Sequence, residues 1–115
     1  MNTGTLRRPL AAAALAACAL AALAIGGASL AGTGDTTVSV KDFAFQAMDI
    51  VVPAGATVTW KNLDGEPHTV TSVDGLFRSG ALDTGDSYSQ RFAKPGVYRY
   101  LCSIHPRMVG SVTVK

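Results

Sequence analysis

Apolar and polar residues alternate with a period of two through most of the chain after residue 35. Val38 and Val40 are separated by Ser39 and followed by Lys41, and Phe43 and Phe45 continue the same parity; this predicts a half-buried strand. Ile50-Val51-Val52 predicts a short apolar strand ended by Pro53-Ala54-Gly55. Val58 and Trp60 share a face opposite Thr57, Thr59 and Lys61. The stretch Asn62-Leu63-Asp64-Gly65-Glu66-Pro67 has the composition of a loop, after which His68 and Val70 open another strand on one face. Asp74-Gly75 reads as a turn, and residues 77–82 and 88–92 as two short strands around Asp83-Thr84-Gly85-Asp86. Lys94-Pro95-Gly96 turns the chain into a strand over residues 97–102, with Tyr98, Tyr100 and Cys102 on one face. Residues 111–115 close the pattern with Val112 and Val114 inward. A single helical turn fits residues 44–50, but helical periodicity is nowhere sustained after residue 32. Seven or eight short strands at this spacing predict an all-β, two-sheet sandwich.

The first thirty residues break the alternation. Arg7 and Arg8 precede an apolar run over residues 9–25, and small residues follow in Gly26-Gly27-Ala28-Ser29-Leu30-Ala31. A charged start, an apolar middle and a small-x-small end predict a secretory signal over residues 1–31, cut after Ala31, with residues 32–115 as the exported domain. Two variants of this reading stay open. Leu15-Ala16-Ala17-Cys18 has the form of a lipobox, which would make Cys18 a lipid anchor, and the run is nearly long enough to span a bilayer uncleaved. The arginine pair also occurs in twin-arginine signals. The predicted location is periplasmic or secreted, with membrane attachment only if the leader is retained or Cys18 is lipidated.

Removing the leader changes the charge picture. It takes two of the ten basic residues and none of the eight acidic ones, so the remaining domain is charge-balanced. The basicity of the whole chain therefore gives no ground for nucleic-acid or anionic-lipid partners. Cysteine usage changes too. Of two cysteines, Cys102 alone lies beyond the leader, so its thiol cannot form an internal disulfide in the exported domain.

Chemistry gathers around that thiol. Cys102-x-x-His105-x-x-Met108 places a thiol, an imidazole and a thioether within seven residues, and a second imidazole, His68, follows Pro67 far upstream. Two nitrogens, one thiolate and a weak axial sulfur form the ligand set of a type 1 blue-copper site. Cys102 at a strand end, with His105 and Met108 on a tight loop, can converge on one point; His68 has to come from a neighbouring strand. Pro106 stiffens the loop and Gly110 lets it turn into the last strand. Each residue has an ordinary alternative, as a satisfied core histidine, a packing methionine or an inert buried thiol. Zinc would more often bring a second thiolate or a carboxylate. A cysteine nucleophile with His105 as base lacks an orienting group and an oxyanion donor.

Three stretches carry a family resemblance: Val58-Thr59-Trp60-Lys61-Asn62 leading to Pro67-His68-Thr69-Val70, Gly96-Val97-Tyr98-Arg99-Tyr100-Leu101-Cys102, and Cys102-Ser103-Ile104-His105-Pro106-Arg107-Met108 with Gly110. Through them residues 36–115 resemble the cupredoxins, most nearly the amicyanins with their short ligand loop, and more distantly plastocyanins and pseudoazurins. The resemblance implies an eight-stranded Greek-key sandwich with one copper ion near one end. His68, Cys102 and His105 would be the strong ligands and Met108 the long axial one. It further implies that His105 is partly exposed as the port for electrons, inside an apolar patch of Pro67, Pro106, Met108 and Val109, with Met48 at its margin. In short-loop members this histidine can leave Cu(I) and take a proton. One position departs from the family: Thr69 stands where asparagine commonly ties the two ligand loops together. Its N–H can still donate to the Cys102 thiolate, and its hydroxyl could reach Ser103.

These residues predict a monomeric one-electron shuttle rather than an enzyme. The resemblance implies a quinoprotein such as methylamine dehydrogenase as donor and a c-type cytochrome as acceptor, both docking transiently at the patch around His105. The alternative from another class is copper binding, buffering or delivery. A plain interaction module with incidental Cys and His is the third.

Overall fold

The computed structural model describes residues 34–115, so the expected leader, with Cys18 and the cut after Ala31, lies outside the described residues. Eight strands follow in order: β1 Thr36–Lys41, β2 Ala44–Gln46, β3 Asp49–Val52, β4 Ala56–Asn62, β5 Thr71–Ser72, β6 Ser87–Phe92, β7 Gly96–Leu101 and β8 Val109–Val114. They build two four-stranded sheets, β2-β1-β4-β6 and β3-β8-β7-β5. Within them β1 runs parallel to β4 and β3 parallel to β8. Parallel neighbours cannot be joined by a tight hairpin, so the chain crosses from sheet to sheet in the Greek-key manner.

Alternation delivers the core between the sheets. Val38, Val40, Phe45, Val58, Trp60 and Phe92 point inward from the first sheet, and Val52, Tyr100, Val112 and Val114 from the second. Trp60 is the centre. Its ring stacks on Phe77 and Tyr88 and meets Phe92 and Tyr100 edge-on. Tyr100 faces Gly110 across the β7–β8 pair. A Cβ at Gly110 would lie 2.5 Å from the Tyr100 hydroxyl and 2.9 Å from the Met48 carbonyl, so this glycine is required by close approach.

Four sequence expectations change. The strand expected to run through Phe43 stops at Lys41, and Asp42 and Phe43 form a two-residue turn with φ of 55° and 56°. In that turn Lys41 pairs with Ala44 and Val40 with Phe45, so Phe43 leaves the core and is 49% exposed. Such a turn, with both central residues in the left-handed region, is the one whose twist matches antiparallel strands. Residues 44–50, where a single helical turn could fit, instead form β2 and the start of β3.

The strand expected from His68 narrows to Thr71–Ser72, because His68, Thr69 and Val70 are all buried in succession. Residues 77–82 form no strand; Arg78 and Leu82 make single bridges to Thr71 and His68. Successive burial replaces alternation at residues 68–70, whereas in residues 77–82 only Phe77 and Leu82 are buried.

The strand ends set up the site. Val40 pairs with Asn62 at the end of the β1–β4 pair, and Leu101 with Val109 at the start of the β7–β8 loop. The loops leaving those ends meet.

Gly110→Ala should destabilise the domain by about 1–3 kcal/mol through overpacking against Tyr100. A lower urea midpoint with an unchanged slope would show it; an unchanged midpoint would mean that Tyr100 moves away freely.

Candidate metal centre

Asn62 organises the first loop. It is wholly buried, its Nδ2 donates to the Glu66 and Leu82 carbonyls at 2.8 and 2.9 Å, and its Oδ1 accepts from Asp64 N–H at 2.9 Å. Pinned in this way, the loop turns the Asp64 carboxylate toward the β1–β2 turn. That carboxylate accepts the N–H groups of Asp42 and Phe43 at 2.6 and 2.9 Å and meets His68 Nε2 at 2.8 Å. An ionised carboxylate only accepts, so Nε2 carries the proton and Nδ1 is left with its lone pair free.

Nδ1 of His68 points at the thiol. It lies 3.7 Å from Cys102 Sγ, and Nδ1 of His105 lies 3.8 Å from the same sulfur. All three donor atoms are within 4.8 Å of one another. The ligand loop is closed by its own backbone: Cys102 N–H donates to the Met108 carbonyl at 3.0 Å and Met108 N–H to the His105 carbonyl at 2.9 Å. Sulfur and nitrogen at 3.7–3.8 Å span the gap that two bonds of about 2.0–2.3 Å to a shared ion would bridge. The donor set fits a metal.

Thr69 ties the two loops together. Its N–H donates to Cys102 Sγ at 3.3 Å, its Oγ1 accepts Ser103 N–H at 2.7 Å, and the Thr69 and Ser103 hydroxyls are 2.9 Å apart. Both contacts expected of this residue in place of asparagine are formed. The hydroxyl supplies the tie that the amide commonly provides.

Electrostatics prepare the thiol as a thiolate. Burial alone would push the Cys102 thiol up, but the hydrogen bonds its sulfur accepts, that of Thr69 N–H foremost, outweigh it and hold the group at about 6. Burial likewise opposes ionisation of Asp64, yet the Phe43 and Asp42 N–H groups, with His68 beside them, keep its carboxyl below the usual range. The soft donor and the acceptor that orients His68 are thus both anionic near neutrality.

His68, Cys102 and His105 come together as expected, with His68 and Cys102 buried and His105 partly exposed. Met108 sits at the end of the loop but is only 5% exposed, so it does not belong to the surface patch. Exposed apolar side chains around the loop are Phe43, Met48, Ile104 and Val109, joined by Pro106; Pro67 is half-buried. Sequence reasoning missed Phe43, whose ring lies edge-on to both imidazoles. It also missed Asp64, although an acid four residues before a histidine in a loop pinned by Asn62 was a usable signal.

Fold and donor set define a small mixed-sheet sandwich with a sulfur-and-imidazole metal site at one end. A family model described as a cupredoxin-like domain matches residues 10–114. The amicyanin-alpha of Methylorubrum extorquens is 37% identical over 90 residues, covering 74% of this chain and 76% of that protein. Among solved structures, the purple cupredoxin from Nitrosopumilus maritimus superposes with a TM-score of 0.66 at 37% identity, over 70% of this chain and all of the other. A copper-containing nitrite reductase from Thermus scotoductus superposes with a TM-score of 0.66 at 31% identity, over 70% of this chain but only 22% of that enzyme. The chain belongs to the cupredoxin-like family. Family, fold and donor set make copper its cofactor, as a single type 1 ion.

The depressed thiol has a definite consequence in the copper-free domain. Its folded value lies below the ordinary thiol value of roughly 8.5, so ionisation contributes stability that is fully present above that value. The contribution is lost as pH falls through about 6. Thiolate absorbance should titrate near that pH, and the copper-free domain should be more stable at alkaline than at acid pH by a margin that Cys102→Ser reduces. A thiolate that appears only above pH 8 would contradict this environment.

Proposed function

We propose that this chain is a one-electron carrier whose copper is held by His68, Cys102 and His105, with Met108 as the axial sulfur, and that it works between exported redox proteins. The observation that carries the reading is the convergence of a buried thiolate and two imidazoles, one of them His105 at the surface. Copper supplies a one-electron couple when bound. Cys102, prepared as a thiolate, gives a soft anionic donor. His68, locked by Asp64, gives an imidazole whose tautomer does not change. Met108, buried behind the loop, offers a weak sulfur donor and excludes water. Donors set in place by the fold resist the rearrangement that a change of oxidation state otherwise demands.

His105 is the exit in this reading. Phe43 lies against its ring, and Met48, Ile104, Pro106 and Val109 are exposed on the neighbouring turns as an apolar docking face. A largely apolar face, with the exposed Arg107 at its edge, suits partners that must bind briefly and leave. By its likeness to amicyanins, the donor is a quinoprotein dehydrogenase or a similar enzyme and the acceptor a c-type cytochrome. In this reading the chain acts as a monomer and is not an enzyme, which its likeness to amicyanins and plastocyanins supports. The charged start, apolar run and small-residue end of residues 1–31 support export to a periplasmic or secreted setting.

With one equivalent of Cu(II), the purified domain should develop an intense blue band that Cys102→Ser lacks and that disappears on reduction and returns on oxidation. A colourless product, or copper surrendered at once to a chelator, would replace the carrier reading with copper handling. Met108→Leu should raise the reduction potential, because losing a donor destabilises Cu(II) more than Cu(I). An unchanged potential would remove Met108 from the ligand set.

A further inference from the structure

Phe43 lies against both imidazoles of the site. Its ring centroid is 5.1 Å from that of His68 and 5.0 Å from that of His105, with interplanar angles of 87° in both cases. The imidazole centroids are themselves 5.1 Å apart, so the three rings close a triangle. Edge-to-face pairs at this separation attract beyond simple burial of area.

The backbone beneath Phe43 is unusual. Asp42 and Phe43 both adopt positive φ, a region that residues with a Cβ rarely occupy and that such turns normally fill with Asn and Gly. What holds them there is the Asp64 carboxylate, through the two N–H groups of the turn, and its Oδ2 also meets His68 Nε2. One carboxylate therefore fastens both the turn that presents Phe43 and the first imidazole.

His105 needs such support more than His68 does. His68 is buried and bonded through Nε2. His105 is partly exposed, and among the described residues its ring has no hydrogen-bond partner besides the Cys102 sulfur. Phe43 supplies the missing flank. It also lines a shallow groove of about 90 Å³ with Met48, Arg107, Met108 and Val109, so the residue steadying the imidazoles also belongs to the docking face.

We propose that Phe43 is a positioning residue that braces His105 against His68, with Asp64 as the fastening of the brace. The inference rests on the copper-site reading. An imidazole that swings toward Phe43 displaces its ring, and the backbone carrying that ring is held by two hydrogen bonds to Asp64.

The test compares the wild-type domain with Phe43→Ala, Phe43→Leu, Phe43→Tyr and Asp64→Asn. Three quantities are read: the copper EPR spectrum, the rate of Cu(I) loss to excess bicinchoninate, and ring NMR of His105 in the copper-free domain. Phe43→Ala should alter the EPR hyperfine splitting, speed Cu(I) loss at least fivefold and narrow the His105 ring signals as the ring gains freedom. Phe43→Leu keeps bulk without the aromatic edge and should fall between, whereas Phe43→Tyr should restore wild-type values. Asp64→Asn should reproduce the alanine phenotype and speed amide exchange at Phe43. If Phe43→Ala fails to fold, the leucine variant carries the same comparison. A wild-type blue site whose spectrum, Cu(I) loss and His105 signals are all unchanged in the alanine and leucine variants would overturn the brace alone. A wild-type domain with no blue site would overturn the copper reading together with it.

Discussion

A single carboxylate, Asp64, is the constraint on which the rest of the centre depends. It sits in a loop pinned by a buried asparagine and accepts from the backbone of one turn and from the imidazole of a ligand. Because an ionised carboxylate offers only acceptor sites, each of these groups must present a proton to it. That requirement sets the tautomer of His68, and the tautomer in turn aims Nδ1 at Cys102. The same charge holds two residues of the β1–β2 turn in a backbone region they would otherwise avoid. Chemistry at the metal and geometry at the surface therefore share one anchor.

Thr69 plays the corresponding part on the sulfur side. It donates its N–H to the thiolate and uses its hydroxyl to hold the backbone at Ser103, so the loop bearing His68 and the loop bearing His105 form one unit. A thiolate in a buried site is stable only when donors replace lost water, and here the Thr69 N–H does so. The domain is small and its core modest, so a bound metal adds stability by mass action as well as chemistry. Function and folding pull in the same direction at this end of the sandwich.

The fold explains why the loops meet at all. Parallel pairing of β1 with β4 brings Val40 beside Asn62, which puts the β1–β2 turn next to the loop leading to His68. Antiparallel pairing of β7 with β8 makes the ligand loop a tight return between Leu101 and Val109. Trp60, packed against aromatic rings that include Tyr100 of the other sheet, locks the two sheets together. The site needs this rigidity, because donors that stay put in both oxidation states are what let a single electron move without large rearrangement.

Much of this was legible in the chain itself. Alternation marked most strands, because period-two patterning is a local property of a half-buried ribbon. The ligands Cys102, His105 and Met108 could be read as a group because they lie within seven residues, and local spacing survives folding. Thr69 could be assigned its two contacts for a similar reason, through its place beside His68. What the chain alone did not disclose depends on contacts between distant segments. Phe43 continued the core parity, and only the cross-strand register of β1 with β2 turned it out toward the imidazoles. Asp64 looked like loop composition, since its partners at Asp42 and Phe43 are more than twenty residues away. Residues 77–82 had the look of a strand, yet they contribute only single bridges, to Thr71 and His68, because pairing depends on how the chain folds back onto those residues. Local sequence decides periodicity and spacing; which side of a turn faces a partner, and which carboxylate finds three donors, is decided by packing.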